Sequence, residues 1–94
     1  MRMSKLHLEK WQTYSLQQQN ERIISNESYL KGLKSDMAVV GVFNISLSKI
    51  LNSYGLLFHT VKKYVNLFSN DLRKRVVDQE LLIEEMKRYS KRNE

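Results

Sequence analysis

The sequence predicts an all-α fold, a helical hairpin of two long amphipathic helices, on three observations. No proline and only three glycines (Gly32, Gly41, Gly55) occur in 94 residues, so the chain lacks the backbone punctuation of a turn-rich β sandwich. Apolar residues of the second half recur at three- and four-residue steps, the helical period. A folded chain this short buries only about two thirds of the surface it exposes when unfolded, so a single domain over 1–94 with one modest core is expected. Dimerisation or a partner is expected to complete that core into a bundle or coiled coil.

Helix one is read over 4–43. Ser4 is its N-cap, and Leu8 with Trp11 its first apolar pair, a docking anchor for a neighbouring helix. From Trp11 to Asn20 there is no charge, and Gln17, Gln18, Gln19 and Asn20 are polar on every face. A heptad seam nevertheless runs through Leu16, Ile23, Leu30 and Met37, with Gln19, Asn26, Leu33 and Val40 at the alternate core positions. The two amides in that seam cost stability and can set register or partner number. The apolar run Met37–Phe43 is read as the close-packed end of the helix, where Ala38 and Gly41 admit a neighbouring backbone. A break over 44–46 follows, with Asn44 and Ser46 as caps.

Helix two is read over 47–89. Leu47, Ile50, Leu51, Tyr54, Leu57, Phe58, Val61, Tyr64, Val65, Phe68, Leu72, Val76, Leu82, Ile83 and Met86 make one stripe, with lapses at Arg75 and Gln79. At 1.5 Å per residue this helix of about forty residues is roughly 60–70 Å long, and the radius of gyration should exceed about 18 Å. Gly55 costs about 1 kcal/mol inside it, and Ser69, Asn70 and Asp71 form a second weak point. Asp71 with Arg75 and Glu84 with Arg88 are favourable pairs four apart, and Lys87, Arg88, Lys91 and Arg92 crowd the negative end of the macrodipole.

Sixteen Lys and Arg against ten Asp and Glu leave +6, divided as +2 in residues 1–47 and +4 in 48–94. Such a balance suits nucleic acid, an anionic surface or an acidic protein. The absence of cysteine removes disulfides, thiol nucleophiles, iron–sulfur clusters and thiolate zinc sites. His7 and His59 have no ligand partner at metal spacing, and no HExxH, GxGxxG or P-loop pattern occurs. Glu80, Glu84 and Glu85 read as surface carboxylates. No catalytic residue, metal, cofactor or small-molecule substrate is therefore expected. Arg2 and Lys5 precede no apolar run of seven, and 37–61 holds Asn44, Ser46, Ser48, Lys49, Asn52, Ser53 and His59. Neither a signal peptide nor a membrane span is expected, and the expected location is cytoplasmic.

The stretch SLSKILNSYGLLFHTVKKYV, residues 46–65, resembles the helix-turn-helix of resolvases and insertion-element transposases. In that resemblance Ile50 and Tyr54 are core positions of a first helix, Gly55 is the turn glycine, and Leu56, Val61 and Tyr64 are the core of the second. It implies that His59, Thr60, Lys62, Lys63 and Asn66 face the groove or phosphates, with Arg73 and Lys74 extending the basic side. The sequence departs from that family at Leu51, where a small residue is wanted, and at Leu57 and Phe58, where exposed polar residues are. A continuous amphipathic helix buries all three, which is worth roughly 1.5–3 kcal/mol for each large apolar side chain. In size, lack of cysteine and hairpin form the chain is also similar to the small helical proteins of specialised secretion, including the Trp-x-Gly hairpins of type VII systems. Trp11 is followed by Gln12 and Thr13, so the tripeptide itself is absent.

The function expected is accordingly a non-enzymatic helical interaction module, dimeric or masking a helix of a larger protein. Tyr54, Leu57, Phe58, Val61, Tyr64 and Phe68 are expected to bind the partner, with basic rims steering an acidic one. Nucleic-acid binding through residues 46–66 is the alternative.

Overall fold

A computed structural model describes residues 3–51 and 56–91, and the side chains of all of these except 50, 51 and 56–58. Three helices follow one another: α1 over Lys5–Thr13, α2 over Leu16–Leu51 and α3 over Leu56–Arg88. Three contacts show that α2 and α3 run antiparallel. Glu27 pairs with Lys87 at 3.4 Å, Lys34 with Glu80 at 3.4 Å, and Asn44 Nδ2 donates to Asn66 Oδ1 at 3.2 Å. Numbers rise along α2 as they fall along α3, so the chain reverses between Leu51 and Leu56. The resulting rod measures 63 × 22 × 14 Å with a radius of gyration of 18.8 Å, as expected of a hairpin of long helices.

The heptad seam of α2 is its inner face. Gln19, Ile23 and Leu33 are buried, and Leu16, Asn26, Leu30, Met37 and Val40 are half-buried. Facing them, α3 presents Val65, Ser69, Leu72, Val76, Gln79, Ile83 and Met86 at alternating steps of four and three, all buried or half-buried. Leu33, Leu72 and Val76 form the central cluster, with Leu30, Met37 and Val40 packed against it. The lapse at Gln79 has a partner. Gln79 Nε2 donates to the Asn26 carbonyl at 3.3 Å and to Asn26 Oδ1 at 2.8 Å, so an amide of the α2 seam meets an amide of α3, a pairing that favours this register.

Helix one of the sequence reading is in fact two helices. Ser4 caps α1 through Oγ, which accepts from the His7 N–H at 3.2 Å. Tyr14 then turns extended, φ −74° and ψ 147°, and α2 begins with a capping box. The Ser15 Oγ accepts from the Gln18 N–H at 3.2 Å while Gln18 Oε1 accepts from the Ser15 N–H at 3.0 Å. The bend folds α1 back over the open end of the hairpin. Trp11 is buried with Ile23 and Met86, and Met3, Leu8, Tyr14 and Leu82 pack around them. The Met3 N–H donates to Glu85 Oε2 at 2.7 Å, and the Arg22 guanidinium lies 4.4 Å from the centre of the Tyr14 ring.

Gln19 closes this end. Its side chain is 0% exposed; Nε2 donates to the Trp11 carbonyl at 2.9 Å and Oε1 accepts from the Lys91 N–H at 2.8 Å. One amide therefore joins the last turn of α1, α2 and the segment after α3, and gives the Trp11 carbonyl a second donor beside the Tyr14 N–H at 3.2 Å.

Other boundaries differ from the sequence reading as well. No break occurs at 44–46 or at 69–71, both of which are helical. Asn44 and Ser69 lie half-buried on the inner faces, Ser48 Oγ donates to the Asn44 carbonyl at 2.9 Å, and Asp71 pairs with Arg75 at 3.0 Å. Inside the helices Asp71 has an ion-pair partner and Asn44 Nδ2 donates to Asn66, while Asn44 Oδ1 is buried without a hydrogen bond. The single helix expected over 47–89 is divided between α2 and α3, and Gly55 lies outside the described residues. The expected close approach at Ala38 and Gly41 is not there either. Ala38 is exposed, and a Cβ added at Gly41, or at Gly32, would meet nothing within 4 Å. Gly32→Ala and Gly41→Ala are therefore expected to stabilise the fold by about 0.4–1 kcal/mol each, read as a raised urea midpoint with unchanged slope.

Candidate functional site

Near its turn, one side of the hairpin is apolar and open. Val39, Val40 and Phe43 of α2 and Tyr64, Val65 and Phe68 of α3 line a groove of about 350 Å³. Val40 and Val65 form its half-buried floor, and the walls stand in solvent, with Val39 65%, Phe43 54%, Tyr64 67% and Phe68 55% exposed. The seam explains why. Each helix turns one heptad stripe toward the other, and the residues one position beyond that stripe are covered only where a third helix lies on them.

Further along the same side, that third helix is present. A depression under α1 is lined by Trp11 and Tyr14 together with Arg22 and Asn26 of α2 and Leu82 and Met86 of α3. Asn26 and Val40 are fourteen residues apart, as are Phe68 and Leu82; Arg22 and Phe43 are twenty-one apart, as are Val65 and Met86. Whole heptads place both sets on one face of the coiled hairpin. With nine residues, α1 is about 14 Å long on a rod of 63 Å, so it covers one end and leaves the other bare.

Of the residues expected to bind a partner, Tyr64 and Phe68 line this groove and Val61 is half-buried on α3. Tyr54 lies outside the described residues, as do the side chains of Leu57 and Phe58. The contribution of α2 escaped the sequence reading, which put Val39 and Phe43 in a close-packed helix end. Their signal was spacing: four apart, they straddle Val40 off the seam.

Residues of the nucleic-acid alternative gather elsewhere. His59, Lys62, Lys63 and Asn66 line a shallow depression with Leu67 and Asn70, on the opposite side of α3 from the groove, and Arg73 and Lys74 continue that side. Thr60 is exposed beside them. The tip has a distinctive charge. Between Asp36 and Asp71 there is no carboxylate, and Lys49, Lys62 and Lys63 give residues 37–70 a net +3 with histidine neutral.

Among the described residues, no group of three or more His, Cys, Asp or Glu is placed to hold a metal ion, and no helix is long and apolar enough to cross a membrane. Comparison with protein-family models, with curated proteins and with solved structures finds no match to this chain.

Proposed function

We propose that this chain is a non-enzymatic helical interaction module, a small adaptor or chaperone-like partner that receives a helix of another polypeptide in its open groove. The observation that carries the reading is the bare groove of Val39, Phe43, Tyr64 and Phe68 on the same face that α1 covers further along. Exposed aromatic and aliphatic walls around a half-buried floor suit the helix-in-groove mode, in which a few apolar anchors supply most of the affinity.

Site-specific photocrosslinking in producing cells tests it. A photoreactive side chain at position 39 or 68 is expected to capture one discrete protein, at a yield about tenfold above that from position 31 or 74, which are exposed away from the groove. Equal yields from all four positions would remove the groove from consideration.

The second reading, nucleic-acid binding, draws on His59, Lys62, Lys63 and Asn66 sharing one side of α3. The antiparallel course of α2 and α3 differs from the crossing of about 90–120° in a helix-turn-helix, so this reading takes the form of a basic stripe on phosphates. Absence of duplex binding at about 50 mM salt would end it, because the electrostatic contribution is largest at low salt.

A further inference from the structure

We propose that the cavity beneath α1 binds a small amphipathic anion, a carboxylate with a short alkyl or aryl body, held as a ligand and not turned over. This site lies at the other end of the rod from the open groove and does not rest on the reading of that groove.

Met3, His7, Lys10 and Tyr14, spaced by four, three and four residues, overhang one side of the hairpin end. Opposite them stand Arg22 and Asn26 of α2 and Leu82 and Met86 of α3, and the space between measures about 300 Å³, within the range of small-ligand sites. Its surface is divided by chemistry. Leu82, Met86 and the Trp11 indole make an apolar floor, with Met86 and Trp11 themselves buried. Lys10 and Arg22 place two positive charges on the rim, and the Tyr14 ring holds the Arg22 guanidinium at 4.4 Å from its centre. Among the described residues, no carboxylate lines the cavity. Glu85 accepts from the Met3 N–H at 2.7 Å and lines, with Glu84 and Arg88, a depression on the Leu8 side of α1, while Asp78, one turn before Leu82, is itself engaged.

An unmet donor is the second observation. Trp11 is 3% exposed, and its buried Nε1–H has no acceptor among the described residues. Buried donors are almost always paired, so an orphan on a side chain that lines a cavity marks a demand for an acceptor there. A carboxylate answers that demand best, because a charged acceptor makes the stronger hydrogen bond and the planar Arg22 guanidinium suits its two oxygens. A cation is repelled by Lys10 and Arg22, and an uncharged chain uses the floor alone. Only an amphipathic anion matches floor, rim and orphan donor together.

The test titrates the full chain with octanoate, octan-1-ol and octylammonium, which share one chain and differ in head group, at about pH 7 and about 50 mM salt. Calorimetry and the emission of Trp11, the one tryptophan, report binding. Octanoate is expected to saturate with a Kd of about 1 mM or below, about tenfold tighter than octan-1-ol, with octylammonium weaker than both. Lys10→Gln with Arg22→Gln should remove the preference for octanoate over octan-1-ol while affinity for the alcohol and helicity persist, because both side chains are exposed. Trp11→Phe, followed by calorimetry, keeps an aromatic ring without the donor and should narrow the preference about threefold. Equal affinities for the three head groups would make the cavity an unselective apolar hollow and overturn the proposal. A preference that survives Lys10→Gln with Arg22→Gln would put the carboxylate elsewhere on the chain, with the same consequence. Neither heat nor a change of emission with octanoate up to about 10 mM would overturn it as well, and would leave the groove reading untouched.

Discussion

Leu72→Asp is expected to abolish the cooperative helical fold at room temperature, whereas Phe68→Asp, one turn away on the same apolar stripe, is expected to melt within a few degrees of the parent. Leu72 is buried between Leu33 and Val76, so the substitution forfeits about 1.5–3 kcal/mol of burial and adds several kcal/mol for an unpaired carboxylate in an apolar seam. Together these approach the whole stability of a domain this size, about 5–14 kcal/mol at 0.05–0.15 kcal/mol per residue. Phe68 stands more than half in solvent, where a carboxylate keeps its hydration. Circular dichroism with thermal melting compares the two variants directly. Equal damage from both would mean that the stripe is covered on both flanks and that the groove does not exist.

Gln19→Leu is expected to destabilise the fold by about 1–2 kcal/mol, lowering Tm by roughly 5–15 °C, although it replaces a polar side chain by an apolar one in a buried position. The gain from apolar burial is outweighed because the Trp11 carbonyl, which keeps only the Tyr14 N–H at 3.2 Å, and the Lys91 N–H each lose a hydrogen bond. Each lost hydrogen bond costs about 0.5–1.5 kcal/mol, and Lys91, which is exposed, recovers part of its loss from water. Trp11 is the one tryptophan, so its emission reports on α1 separately from the hairpin. A red shift well below the main melting transition is expected as α1 undocks. Unchanged emission and an unchanged Tm would mean that the amide is not the clasp of the open end.

Much of the candidate site was legible in the second half of the chain and little of it in the first. Tyr64 and Phe68 stood out because their stripe is wider than one opposing helix can cover. Val39 and Phe43 did not, since residues 37–45 are apolar on several sides and no single face emerges from them. Which of those sides is wet depends on where α3 lies. Gln19 was legible as an amide in a seam, but not as the clasp, because its two partners are eight and seventy-two residues away. The bend at Tyr14 had a local mark that went unread, the capping box of Ser15 and Gln18.

Helix, length and the inner faces follow from local chemistry: without proline, and with apolar residues at alternating steps of three and four, each segment has one way to hide its stripe. The rod's dimensions come with it. Where the chain reverses is another matter, because Asn44, Ser46, Ser69 and Asp71 are as able to cap a helix as to sit within one. The choice is made by the pairing of α2 with α3. Meeting Asn26 with Gln79, Leu33 with Leu72 and Val76, and Asn44 with Asn66 demands a reversal between Leu51 and Leu56, and no other position satisfies all three. Register is a sum over distant partners, so it emerges only when both helices are present, and the groove that register leaves uncovered emerges with it.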